Sequence, residues 1–149
     1  MSDRSVTHTT LTFERVYAVS PARVFAAWTD PGARARWFAT LGNDHEIDFR
    51  VGGKEIVRGP DESGTILTFE SVYHEIVVDR RIVSASVLYS GQIPATVSLT
   101  TVELWEEGDG TRLLLTEQGA FLDGHEQPAW REQGIAGQLS ALDQELLGS

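Results

Sequence analysis

The chain contains no cysteine, and only one methionine and one lysine. Without thiols it can hold no disulfide, no thiolate nucleophile and no cysteine-ligated metal. Long apolar runs are missing as well. No stretch approaches the roughly 20 residues of a membrane-spanning helix, and the opening MSDRSVTHTTLTF lacks the apolar core of a secretion signal. A cytoplasmic protein with no membrane partner is expected. Positive charge is scarce, with 12 basic residues against 22 acidic ones and a net charge of −10. The arginines are scattered, whereas phosphate backbones require a concentrated basic surface, which argues against nucleic acid as a partner.

Familiar catalytic spacings are also absent. There is no HExxH or HxH for a metal, no GxSxG elbow, no GxGxxG and no phosphate-binding loop. Three of the four histidines, His45, His74 and His125, are each followed by glutamate. Neighbours on a strand point to opposite faces, so such a pair does not make a two-ligand site. No metal and no cofactor are expected.

What is present is an ordinary globular composition, 41% hydrophobic and 23% charged over 149 residues, which predicts a single domain over 1–149. Leu11, Phe13, Arg15 and Tyr17 share one face of a strand predicted over 8–19. Ser20-Pro21 and Asp30-Pro31 are two successive helix starts, each a capping side chain followed by a proline suited to the first helical position. They predict two short helices, the second running to about Trp37 and Phe38. Six strands are predicted next. Residues 47–51 lead through Gly52-Gly53 into 54–58 as a hairpin, followed by 65–73, 81–89, 96–105 and 111–120. Ile135, Leu139, Leu142 and Leu146 then form one stripe of a C-terminal helix. Gly134 and Gly137 interrupt it, as if its backbone passed close to a sheet or a ligand.

Antiparallel strands need one face covered, and that helix has the stripe to do it. An α+β fold is predicted, a curved antiparallel sheet gripping the helix with a space between them. The order of elements, with SPARVFAAWTDP, FRVGGKE and GTRLLLTEQGAFLDG, resembles the helix-grip proteins of the START/Bet v 1-like superfamily. Within it the chain is similar to the bacterial branch related to the activator of Hsp90 ATPase, from about residue 10 to 147. The resemblance implies a cavity between sheet and helix. Its superfamily spans carriers, cyclases, aromatases and co-chaperone domains, so the fold alone selects no function. The additional N-terminal domain of the eukaryotic co-chaperone has no counterpart here, so an Hsp90-type interaction is not implied. Relatives often carry Tyr or Trp at the positions of Ser84 and Ser86, and Trp at Ile135, which implies a wider pocket in this chain.

Glu117 is the residue that alternation makes conspicuous. Pairing Leu104 with Leu113 sets Val102 opposite Leu115 and Thr100 opposite Glu117, so the carboxylate points to the face that the leucines bury. A buried carboxylate needs a partner. Either Glu117 anchors a ligand or acts as a general acid/base, or it is a solvated or structurally paired group at the cavity mouth. Glu55 shares a face with Val57 and is a second carboxylate candidate, although a solvated strand face is the plainer reading. Arg58, Tyr73 and Tyr89 are candidate donors to an anionic or carbonyl ligand, with ordinary packing as the alternative for each. Trp37 and Phe38 are candidates for the pocket rim. Phe121 and Trp130 either gate the cavity or staple the loop, and an outward Trp105 would suit a homodimer contact.

Three functions are compatible with these residues. The first is binding of a small, largely apolar ligand, aromatic or lipid-like, contacted by Trp37, Glu55, Arg58, Tyr73, Tyr89, Glu117 and Phe121. The second is a cofactor-independent cyclase, dehydratase or hydrolase using Glu117. The third is a co-chaperone-like interaction module.

Overall fold

The computed structural model of the protein describes residues 4–39 and 43–148. Strand β1 (Val6–Tyr17) is followed by helices α1 (Pro21–Thr29) and α2 (Pro31–Arg34). Strands β2 (Asp44–Ile47), β3 (Lys54–Pro60), β4 (Ile66–Val77), β5 (Arg81–Ser90), β6 (Ile93–Glu107) and β7 (Gly110–Leu122) come next, and helix α3 (Pro128–Leu147) closes the chain. The strands form one antiparallel sheet in the order β1-β7-β6-β5-β4-β3-β2. This is the α+β helix-grip arrangement, with α3 packed on one sheet face. Among the described residues no helix is long and apolar enough to cross a membrane.

The two helix starts behave as their chemistry requires. The Ser20 hydroxyl accepts from the Arg23 amide at 3.2 Å. Asp30 serves two helices: its own amide donates to the Ala26 carbonyl at 2.9 Å, and its carboxylate accepts from the Ala33 amide at 2.9 Å. That shared residue turns the chain sharply between α1 and α2. Helix α2 runs on into a π-helical turn, Ala35–Ala39. Such widened turns occur often at functional sites, and here the turn carries Trp37 and Phe38.

The predicted strand over 47–51 is displaced. β2 ends at Ile47, which pairs with Glu55, and residues 48–53 form the connection. Two glycines explain it. Gly52 has φ +83°, in the left-handed region, and a Cβ on Gly53 would stand 2.0 Å from the Asp48 carbonyl oxygen. The loop is tied to β4 by reciprocal backbone bonds, Gly52 amide to Tyr73 carbonyl (2.8 Å) and Tyr73 amide to Gly53 carbonyl (3.0 Å). Glu55, the second residue of β3, then lies within reach of the Tyr73 hydroxyl.

The core lies between α3, α1 and the β1-β7-β6 side of the sheet, where Leu113, Leu115, Val102 and Leu104 meet the stripe of α3. Leu142 is completely buried, worth about 1.5–3 kcal/mol for its side chain. The Tyr17 hydroxyl donates to the Leu139 carbonyl at 3.1 Å, fastening β1 to the helix. The helix glycines do not mark a close approach of the helix to the sheet. No atom of the sheet lies within 4 Å of a Cβ built on Gly134 or Gly137, and Gly134 borders the cavity instead. At exposed Gly137 an alanine is expected to stabilise the protein by about 1 kcal/mol, the difference in helix propensity. A rise in Tm of roughly 2–4 °C would register it.

Candidate functional site

Between the sheet and α3 lies a cavity of about 260 Å³. Its walls come from β3 to β7, the π-helical turn and the first three turns of α3. Most of them are apolar, including Trp28, Trp37, Phe38, Phe69, Ile82, Val102 and Leu115. Trp130, Gly134 and Gln138 border it from the helix side, where Trp130 is exposed. Ser84, Ser86 and Ile135 all line it.

Two buried arginine–carboxylate clusters are set into these walls. In the first, Glu55 is 1% exposed and meets Arg34 edge to edge, Nε to Oε2 and Nη2 to Oε1, both at 2.9 Å. Tyr73 donates its hydroxyl to Oε1 at 3.0 Å, and His45 Nε2 lies 2.9 Å from Oε2. Burial by itself would raise the Glu55 pKa. The Arg34 charge, with hydrogen bonds from His45, Arg34 and Tyr73, outweighs burial and holds it down to about 2. Glu55 is thus an anion near neutral pH. Burial also pushes the Tyr73 hydroxyl upward, so it stays a donor. The guanidinium carbon of Arg34 stands 3.5 Å from the Phe38 ring centroid, 4.7 Å from that of Trp37 and 5.3 Å from that of Trp28. Arg34 Nη1 has no hydrogen-bond partner among the described residues.

The second cluster holds the start of α3 on the sheet. Arg131 Nη1 donates to Glu117 Oε2 at 3.2 Å, while Nε and Nη2 grip Glu126 at 2.7–3.2 Å. Thr100 donates to Glu117 Oε1 at 2.7 Å, and Thr96 to Glu126 Oε1 at 2.5 Å. The register that points Glu117 inward is the one found, with Thr100 opposite Glu117 and Leu104 opposite Leu113. Both Glu117 oxygens are engaged, Oε2 by Arg131 and Oε1 by Thr100, and the residue lines the cavity.

The cavity brings together Trp37, Glu55, Tyr73 and Glu117 from the sequence candidates. Glu55 corrects the plainer expectation, since its strand face is buried rather than solvated. Three other candidates do not line the cavity. Arg58 follows Val57 on β3, and alternation turns it to the opposite, exposed face. Tyr89 follows the lining residue Leu88 and is turned away in the same manner. Phe121 is buried outside the lining, its ring centroid 5.9 Å from the Arg131 guanidinium carbon. Trp105 does point outward, and the Arg112 guanidinium covers its ring at 4.6 Å.

Sequence reasoning missed Arg34, His45, Glu126 and Arg131. One signal was available: the stripe of α3 extended back four residues from Ile135 lands on Arg131. For Arg34 there was none, because its partner Glu55 lies 21 positions away on a different element. Among the described residues no group of three or more acidic or histidine side chains is placed to hold a metal ion.

Comparison with known proteins follows the architecture. The family described as Activator of Hsp90 ATPase homolog 1-like protein matches residues 18–146. No protein of curated function matches. A Rhizobium loti protein of solved structure is 45% identical, with a TM-score of 0.89 over 95% of this chain and 99% of its own. An uncharacterized protein from Rhizobium leguminosarum is 37% identical, with a TM-score of 0.94 over 99% of this chain and 100% of its own. A Staphylococcus aureus protein of unknown function, 20% identical with a TM-score of 0.75 over 96% of each chain, shares the fold.

Proposed function

The chain belongs to the Activator of Hsp90 ATPase homolog 1-like family, and on that premise we propose that it binds a small, largely apolar molecule in the cavity between sheet and helix. The observation that carries this reading is the cavity itself, about 260 Å³ of space among mostly apolar walls, with a few convergent polar groups. A cavity of about 150 Å³ accommodates benzene, which sets the scale. The space suits a compact body of one or two rings rather than an acyl chain, and aromatic walls at Trp28, Trp37, Phe38 and Phe69 favour a flat ligand.

Glu117 supports this reading more than the enzymatic one. Each of its oxygens already accepts one hydrogen bond, from Arg131 or Thr100, an arrangement that ties the start of the helix to the sheet. Glu55 is held ionised by its partners.

Naphthalene titrated by its fluorescence is expected to bind saturably, one molecule per chain. Ser84→Phe places a ring inside the space, since Ser84 lines it. The variant is expected to lose naphthalene binding while keeping its circular dichroism spectrum and cooperative unfolding. Equal affinity in the wild type and this variant would place the binding elsewhere and defeat the proposal. A native mass spectrum of protein from its own host, before and after organic extraction, would then identify the natural occupant.

A further inference from the structure

Helix α3 buries one row of side chains, Arg131, Ile135, Leu139 and Leu142, on the sheet. Trp130, Gly134 and Gln138, spaced four apart, form the row beside it, and all three border the cavity. Two of them also meet solvent: Trp130 is 59% exposed, and Gly134 is exposed as well. A residue that faces both the cavity and the solvent stands where the cavity opens. Gly134 is the barest point of the row, since a Cβ built there meets nothing within 4 Å.

On either side of Gly134 the helix is fastened down. Toward its start, Arg131 holds Glu126 and Glu117 at 2.7–3.2 Å. Toward its middle, Gln138 Nε2 donates to the Phe38 carbonyl of the π-helical turn at 3.2 Å. These two ties lie roughly two turns apart on α3, and Gly134 falls between them. A helix interior disfavours glycine, so its presence calls for a reason. Gly134 has none of the positive φ that would require glycine, and no packed neighbour needs the room. Backbone strain and close packing are both missing as reasons. What the absent side chain does provide is a passage.

We infer that Gly134 is the mouth of the cavity. The ligand enters and leaves over the bare backbone between the Arg131 and Gln138 ties, with Trp130 on the rim, and the side chain at position 134 sets what can pass. This rests on the cavity being a binding site, as proposed above.

Stopped-flow fluorescence on the full chain, with naphthalene as the probe, tests it. Gly134→Ala and Gly134→Leu put a methyl and then an isobutyl group into open space, and both residues favour a helix, so the variants are expected to fold. A filled mouth raises the barrier to passage without changing either end state. Association and dissociation are therefore expected to slow together while Kd stays nearly constant. Alanine should slow them less than leucine, for which the slowing is expected to reach about tenfold or more, because entry then waits for the helix to move. Gly137→Leu is the control, at an exposed position of the same helix away from the cavity, and wild-type rates are expected there.

Wild-type rates in both Gly134 variants would place the entrance elsewhere. Weaker binding with unslowed association would make Gly134 a wall of the bound state and not a passage. Equal slowing in Gly137→Leu would assign the effect to a stiffer helix. Each of these overturns the inference and leaves the cavity reading standing. Where leucine also weakens binding by reaching into the cavity, the alanine variant decides. A wild type that binds no naphthalene removes the cavity reading itself, and the mouth with it, so the two failures are told apart.

Discussion

Glu55→Gln is expected to lower the unfolding free energy by about 3–5 kcal/mol, the cost of leaving one buried charge without its counter-ion. The amide has nearly the shape of the carboxylate, so packing changes little, but the Arg34 cation keeps its burial and loses the one carboxylate it pairs with among the described residues. Urea unfolding measures the loss as a lower midpoint with an unchanged slope. Replacing both partners, Arg34→Met with Glu55→Leu, is expected to cost much less than the single change, since no charge is stranded. A single variant as stable as the wild type would mean that Arg34 finds another partner when Glu55 is gone.

The same pair sets an acid limit. The folded Glu55 pKa of about 2 lies below its ordinary 4.5, so the unfolded chain takes up the proton first as pH falls. Its contribution, about 3 kcal/mol, is complete above pH 4.5 and disappears between about 4.5 and 2. Glu55→Gln should therefore flatten stability against pH across that window. A wild-type curve that is already flat there would contradict the depressed pKa.

Arg131→Met is expected to have an effect of similar size, about 3–5 kcal/mol, for the mirror-image reason. It leaves Glu117 and Glu126 facing the same buried volume with no cation between them. The loss should concentrate at the start of α3, so amide exchange in its first turns should quicken more than in the second half, which Leu142 and Leu146 hold. Glu117→Gln provides the contrast. Arg131 retains Glu126, the amide oxygen can still accept from Arg131 and the amide NH2 can donate to the Thr100 hydroxyl, so the expected cost is no more than about 1 kcal/mol. Equal costs for Glu117→Gln and Glu55→Gln would refute this distinction between a shared and an exclusive counter-ion.

How far the site was readable follows from how local its causes are. Glu117 was found because a strand alternates with period 2 and the hairpin between β6 and β7 is short, which leaves little freedom in register. Its inward direction, its opposite number Thr100 and the outward Trp105 all follow from that one pairing. The caps at Ser20 and Asp30 are similarly local, as is the α3 stripe. Arg58 and Tyr89 were candidates by residue type, although the alternation that made Glu55 and Val57 neighbours already turned Arg58 away. Applying the parity consistently would have removed it.

The sequence by itself determined the element order, the capping points, the face of α3 that is buried and the inward direction of Glu117. Each of these depends on residues a few positions apart, or on one tight hairpin. Only the tertiary structure decided which charges meet. Arg34 and Glu55 are 21 positions apart, and Glu117 and Arg131 are 14 apart. In the first pair Arg34 ends α2, with the Phe38 ring of the following π-helical turn over its guanidinium, while the Gly52-Gly53 connection is bonded to Tyr73. Burial then gives such a pair its meaning. The same arginine and glutamate in water would be worth almost nothing, whereas sealed between aromatic rings they fix one carboxylate as an anion and leave one donor, Arg34 Nη1, without a partner.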